Sequence, residues 1–488
     1  MPPRQSQIQQ NRIATANRIS KAYKWDVNRQ NPRPRGLSNL GNDCYRNATL
    51  QTLFHLPRFV NWIQEHREGG AHWDCKPDDP NMDQPRADRV SIQMERHGTG
   101  CVPCILKTLF QQYWGPYRMN QNGNGEPRIF ERDDPALVGL HNLADRWFSR
   151  DPEQWSEKLE KARGRKLLSQ SEKDKATADA RNRNSGAQHD AEEFMRLIMG
   201  GVESSYDPSD HSHGARRKTQ YDSLFTTSRN EYHTCLTCRE RHFSMSRPEQ
   251  SLRVNPLRTN GDTVEAAIRR CMANTLDGVT KSTCSNQCPE ANITVEYLIE
   301  AAPEYLCVVL QLDNYDETTG EISKNRTTIQ LPDMLDLTEY MDHESADPLP
   351  VRYRLASAIY HAGDSLSSGH YGAGVTSGRA RRARFQRKVV PDPDTLQFFC
   401  NDAEIAEWTQ PTAVANKLTI NPVDFSDAMN SRSVWDPYTL WYVREPQDAP
   451  GARAGSVVAH VAPVEEADTI AGRLRERKRK RAESREGL

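Results

Sequence analysis

Eleven cysteines are spread over 488 residues, and their neighbours sort them by chemistry. Cys44 lies where a loop rich in Gly and Asn (Gly36, Asn39, Gly41, Asn42) meets a segment of helical spacing. Leu50, Leu53 and Phe54 recur there at i, i+3 and i+4, and Pro57 ends the run. A thiol at a helix start faces unpaired backbone N–H groups and the positive end of the helix dipole, which favour a thiolate. A thiolate is a strong nucleophile, so covalent catalysis is one reading of Cys44 and a buried core thiol is the other.

Seven of the remaining thiols suggest metal chemistry. Cys235-Leu-Thr-Cys238 and Cys284-Ser-Asn-Gln-Cys288 are two short-spaced pairs flanking a strand-rich stretch, the usual arrangement of a structural zinc site with four thiolate ligands. His72-x-x-Cys75 and Cys101-Val-Pro-Cys104 could close a second zinc site. Alternatively, Cys101 and Cys104 are buried in a helix starting near Pro103, with Ile105, Leu106 and Leu109 inside. Cys271 reads as a core thiol. An odd number of cysteines, with no apolar stretch at MPPRQSQIQQNR to serve as a secretory leader, points to free thiols and ligands rather than disulfides.

Several elements must position these groups. Leu306 to Leu312 is nearly all apolar on both parities, as expected of a central strand buried on two faces. Val351, Tyr353, Leu355 and Ile359 alternate, as in a half-buried strand. A Gly-rich turn, Gly363 to Gly369, then delivers His370 to the start of another strand. Asp190 can cap a helix whose inner face is Phe194, Leu197 and Ile198. Residues 1–35 are polar and basic and read as a disordered arm; 151–186 read as a charged insert; 446–488 read as a disordered tail with a basic run at Arg477–Arg481. Lys plus Arg is 65 against 66 for Asp plus Glu, so the overall charge argues for no polyanionic partner. No apolar run reaches the roughly 18 residues a membrane helix needs.

The string GLSNLGNDCYRNATLQ from Gly36 to Gln51 resembles the cysteine box of the ubiquitin-specific proteases, departing at Asp43, Arg46 and Ala48. Gln188-His-Asp-Ala-Glu-Glu-Phe194 resembles that family's acidic box, and Gly369-His-Tyr371 its histidine box. Leu396-Gln-Phe-Phe-Cys-Asn-Asp402 stands in place of WxxFDD, and WDPYTLWYV supplies the closing strand. The resemblance runs from about Gly36 to Arg444. It implies an α+β, papain-like fold: a catalytic domain over 36–445 with a helical thumb holding Cys44, a β palm holding His370 and Asn401, and β fingers near 220–300 holding zinc.

By resemblance the chain is a cysteine-type deubiquitinase that hydrolyses the bond after ubiquitin's C-terminal glycine. Cys44 is then the nucleophile and His370 the base, as a thiol protease requires. Asn401 orients the imidazole, with Asp402 as runner-up. On an extended segment the two side chains point to opposite sides, so only one can face His370. Asn39 and the Cys44 backbone N–H hold the oxyanion. The family pattern puts Gln188, Asp190, Glu193 and His361 in contact with ubiquitin, and zinc on Cys235, Cys238, Cys284 and Cys288. The partners implied are ubiquitin and ubiquitinated proteins, with no membrane, and with nucleic acid only through the basic tail. The location implied is the nucleus or cytoplasm. The alternatives are a ubiquitin-binding scaffold and a protease for a ubiquitin-like modifier.

Overall fold

The computed structural model describes residues 7–21, 34–39, 42–66, 102–114, 189–203, 205, 214–257, 259, 261–274, 288, 293–315, 322–325, 329–342, 350–365, 368–377, 380–382, 389–391, 396–408 and 435–445. The insert 151–186 and the tail 446–488 lie outside them, as do Gln188, Cys284, His72, Cys75 and Cys101.

The helical thumb is built on α2 (Cys44–Phe54), in which all eleven residues are buried. So complete a burial requires partners on every side. Helix α3 (Pro57–Gln64), with Pro57 in its first turn, follows it; α4 (Val102–Trp114) and α5 (Ala191–Glu203) pack around the same lobe. The expected helix near Pro103 is α4, which buries Cys104, Ile105, Leu106 and Leu109. Aromatic rings fill the centre, with Phe54 edge-on to Phe110 and Phe59 edge-on to Phe225 of α6 (Gly214–Phe225).

The palm is an eight-stranded sheet. Its path runs through β10 (Glu404–Trp408), β9 (Leu396–Asn401), β8 (Ser368–Ser377), β7 (Arg352–Ser365), β11 (Trp435–Arg444), β5 (Tyr305–Leu310) and β3 (Leu252–Val254), and the eighth strand, Met334–Asp336, pairs with the start of β7 off that path. Every pair on that path is antiparallel except β3 with β5. All six residues of β5 are buried, as its apolar run requires of a central strand. Strand β7 starts half-buried, with Tyr353 inside and Arg352 and Arg354 outside. From Ser357 to Ala362 it is buried on both faces, where α2 lies across it and β8.

The fingers are a separate antiparallel sheet ordered β2 (Arg241–Glu249), β1 (Thr227–Cys235), β4 (Ile293–Ala301) and the two-residue strand Ala273–Asn274.

Within the first 35 residues, the described stretch 7–21 differs from the expected disordered arm. Gln7–Asn17 form α1, which packs beside α6. Few apolar groups do this work, which is why hydrophobic periodicity misses the helix. Gln9 is fully buried and bonds the Ala302 backbone, and the Arg12 guanidinium donates to the carbonyls of Thr226 and Ala301 and to Ser228 Oγ. Just beyond, Lys21 reaches the buried Glu304 at 3.0 Å, where Arg58 of α3 and Arg444 of β11 also converge. Burial pushes the Glu304 carboxyl up, but the three cations outweigh it and hold the group at about 2.

Candidate active site

Cys44 is the first residue of α2 and is only 3% exposed. The dipole argument predicts a lowered thiol pKa, and the structure reverses it: the thiol is pushed up to about 11. Burial is the largest cause, reinforced by the carboxylates of Asp402 and Asp43. Backbone N–H groups of Tyr371 and Tyr45 pull the other way without balancing it. Cys44 is therefore a neutral thiol at pH 7 and needs a base. The contact with the Tyr371 N–H sets the sulfur against the backbone of the residue after His370.

His370 is the third residue of β8 and is partly exposed. Its Nε2 lies 2.6 Å from Asn401 Oδ1, at the end of β9. An amide oxygen accepts only, so Nε2 carries the proton and Nδ1 is the free basic nitrogen. The ring is held edge-on against Trp435, with centroids 5.7 Å apart, and Trp435 is in turn edge-on to Phe399.

Asp402 does something else. Its φ of 51° is left-handed, in the turn between β9 and β10, so it does not point opposite to Asn401 as an extended strand would require. Its Oδ2 is 3.6 Å from His370 Nε2, too long for a hydrogen bond. The same Oδ2 accepts from Asn39 Nδ2 at 2.8 Å, while Oδ1 accepts from Asn47 Nδ2 at 2.8 Å. Asn39 Oδ1 also accepts from the Asp43 backbone N–H at 3.2 Å. The amide of Asn39 is thereby fixed next to the start of α2.

The loop itself depends on Gly36. A Cβ there would lie 2.1 Å from the Ala403 carbonyl oxygen, so only glycine lets the loop meet the β9–β10 turn, where the Leu37 N–H donates to the Asp402 carbonyl. Two of the three departures from the cysteine box are matched: Arg46 pairs with Asp43 at 3.0 Å and donates to Tyr45 Oη at 2.7 Å.

The ubiquitin-contact candidates divide. Asp190 caps α5: Oδ1 accepts from the N–H groups of Glu192 and Glu193, and Oδ2 accepts from Tyr438 Oη. Glu193 is partly exposed on the first turn of α5. His361 is a correction. It is fully buried in β7, where it pairs with Tyr371 and Asp436, and no substrate can touch it.

In the fingers, Cys235, Cys238 and Cys288 converge, with all three sulfurs within 4.8 Å of one another and none in a disulfide. The turn is shaped for this: the Arg239 N–H donates to the Cys235 carbonyl, the Cys235 N–H donates to the Glu240 carbonyl, and Arg239 takes a left-handed φ of 63°. Tetrahedral ligands at about 2.3 Å from a zinc ion sit a little under 4 Å apart, so three sulfurs within 4.8 Å of one another need only a small closure to hold a metal. Of the second candidate set, only Cys104 is among the described residues, buried in α4.

Sequence reading missed Asn47, Trp435 and Tyr438. Asn47 was detectable, because i+3 from Cys44 puts it on the same helix face. The other two act through long-range contacts that carry no local signal.

The family model described as ubiquitin carboxyl-terminal hydrolase matches residues 35–442. The chain is 23% identical over 385 residues to ubiquitin carboxyl-terminal hydrolase 36 of Drosophila simulans, covering 78% of this chain and 31% of that protein. The protein of the same name from Drosophila melanogaster is also 23% identical, with 29% of its length covered. The chain thus spans under a third of the curated relatives it matches. Among solved structures, the SAGA Ubp8/Sgf11/Sus1/Sgf73 deubiquitinating module bound to ubiquitin aldehyde has a TM-score of 0.55 at 16% identity, covering 87% of this chain and 72% of that one. The same module bound to monoubiquitin gives 0.53 at 15% identity, with 86% and 73% covered. At that identity the likeness speaks for the fold: α+β and papain-like.

Proposed function

The chain belongs to the ubiquitin carboxyl-terminal hydrolase family, and from that premise we propose that it is a thiol protease cleaving the isopeptide or peptide bond after ubiquitin's C-terminal glycine. The observation that carries the reading is the His370–Asn401 bond at 2.6 Å beside a buried, neutral Cys44. That bond leaves one ring nitrogen, Nδ1, to take the thiol proton.

The Cys44 sulfur attacks the glycine carbonyl carbon as its proton passes to His370. The tetrahedral oxyanion is met by the Cys44 backbone N–H and by the second hydrogen of Asn39 Nδ2, whose first is held by Asp402. The imidazolium returns its proton to the leaving amine, the C–N bond breaks, and a thioester remains. His370 then deprotonates water, which attacks the thioester, and the thiol is regenerated with ubiquitin's free carboxylate. Asn401 keeps the ring in the productive tautomer throughout. Glu193, partly exposed, is suited to the basic tail of ubiquitin, whereas Asp190 acts by ordering α5.

A zinc ion on Cys235, Cys238 and Cys288, with Cys284 as the fourth ligand, would supply structural cross-linking at the fingertip and no chemistry at Cys44. The test is hydrolysis of isopeptide-linked diubiquitin. The wild-type chain should release monoubiquitin; intact diubiquitin at high enzyme concentration, with cleavage of a ubiquitin-like conjugate instead, would refute the substrate assignment.

A further inference from the structure

A buried ammonium lies behind the histidine strand. Lys324 ends the short strand β6 (Ile322–Lys324), and its side chain is 0% exposed. The Nζ forms an ion pair with Asp436 Oδ2 at 2.7 Å. It donates to His361 Nδ1 at 2.8 Å and to the carbonyl oxygens of Gly363 and His361 at 3.0 and 3.2 Å. An imidazole can accept from an ammonium only when neutral. Burial, with the charges of Lys324 and His370 adding to it, holds His361 at about 3, so it is neutral at any physiological pH.

A buried ion pair is a poor device for stability alone, because desolvating two charges offsets most of their attraction and an apolar pair of the same volume serves as well. Its value lies in what it ties together. Residues 361 to 363 flank Ala362, the β-sheet partner of His370. Asp436 follows Trp435, whose ring lies against the His370 ring. The hairpin neck beside them is tight and held by glycine: a Cβ on Gly369, at φ 151°, would lie 2.3 Å from the Ala362 carbonyl oxygen. One ammonium therefore joins the strand that pairs with His370 to the strand end that carries its aromatic wall.

We propose that Lys324 is a positioning residue for the catalytic base, fixing the β7–β8 hairpin and Trp435 around the His370 imidazole. The inference rests on His370 being the base of the proposed deubiquitinase. Lys324 touches no reacting atom and has no reason to affect ubiquitin binding. Loss of the clamp should therefore appear in turnover alone, since small misplacements of a catalytic group cost about 10² in rate.

The test uses the full chain, ubiquitin bearing a C-terminal aminocoumarin amide, and two variants. Lys324→Met keeps the stem and removes the charge. Lys324→Met combined with Asp436→Asn also removes the carboxylate left without its cation. Lys324→Met is expected to lower kcat about ten- to hundredfold, with ubiquitin Kd unchanged. The double variant should regain melting temperature without regaining kcat. Unchanged kcat in Lys324→Met would overturn the proposal, as would recovery of kcat together with stability in the double variant. Failure of both variants to fold would assign the ammonium to stability and overturn it too. Absence of turnover in the wild-type chain would instead refute the deubiquitinase reading, and the positioning role with it.

Discussion

The thumb–palm seam and the fingertip solve the same problem, holding a few reactive side chains in place, by opposite means. At the seam, Cys44, His370, Asn401, Asp402 and Asn39 come from segments remote in sequence, and each is fixed by protein: a helix start, two antiparallel strands, and side-chain bonds of 2.6 to 2.8 Å. The seam is continuous with the main hydrophobic core, to which Cys44 and Tyr371 both belong. At the fingertip, Cys235 packs with Cys238 and Cys288 in a cluster that, among the described residues, is separate from that core. A handful of thiols buries too little apolar surface to hold a sheet end together. Removing any external ligand should leave the seam intact and loosen the fingertip.

Breaking the seam should have the largest effect. His370→Ala removes the base and should lower kcat by about 10²–10⁴ with ubiquitin affinity retained, measured by stopped-flow hydrolysis and by binding. An equal loss in affinity would mean that His370 binds rather than reacts.

Within the seam, Asn401→Ala and Asp402→Ala separate two functions. Losing Asn401 frees the imidazole to rotate and should cost about 10² in kcat. Losing Asp402 unfixes the Asn39 and Asn47 amides without removing either donor, and should cost less than the about 10²–10³ of a missing oxyanion donor. If Asp402→Ala is crippled and Asn401→Ala is near normal, the carboxylate at 3.6 Å is the true partner of His370.

The fingertip is expected to respond to metal. Purified, unchelated chain should carry tightly held zinc by elemental analysis, and Cys238→Ser should lose it. That variant should bind ubiquitin more weakly while the kcat of bound substrate stays close to wild type. A fall in kcat alone would join the two regions that the packing separates.

The smallest effect concerns Asp43. In His370→Ala chain, alkylation of Cys44 by iodoacetamide should rise with pH toward a midpoint near 11. Deprotonation places a negative charge beside the Asp43 carboxylate, so Asp43→Asn should move that midpoint down. A midpoint that stays put or rises would show that Arg46, 3.0 Å from Asp43, already cancels its charge.

Much of this arrangement was legible in the sequence because it is local. The helix at Cys44, the doubly buried Tyr305–Leu310 strand, and the Gly-rich turn before His370 all write their patterns into consecutive residues. What was not legible depends on burial and on distant contacts. The thiolate expected at a helix start fails because Cys44 is sealed from water, which no local pattern reports. The helix Gln7–Asn17 is anchored by Gln9 and Arg12, so its buried face reads as polar. His361, expected to meet ubiquitin, lies inside because α2 covers the strand that carries it. The place of Asp402 beside Asn39 and Asn47 depends on one left-handed φ, invisible to alternation rules.

The central claim, that Cys44 alone among the thiols is the nucleophile toward ubiquitin's C-terminus, is tested most directly by reacting the chain with ubiquitin carrying a C-terminal propargyl amide. Intact mass and peptide mapping should show one ubiquitin added, attached at Cys44, in wild-type chain and none in Cys44→Ala, which should still bind ubiquitin. An adduct that persists in Cys44→Ala, or maps to another cysteine, would contradict the account.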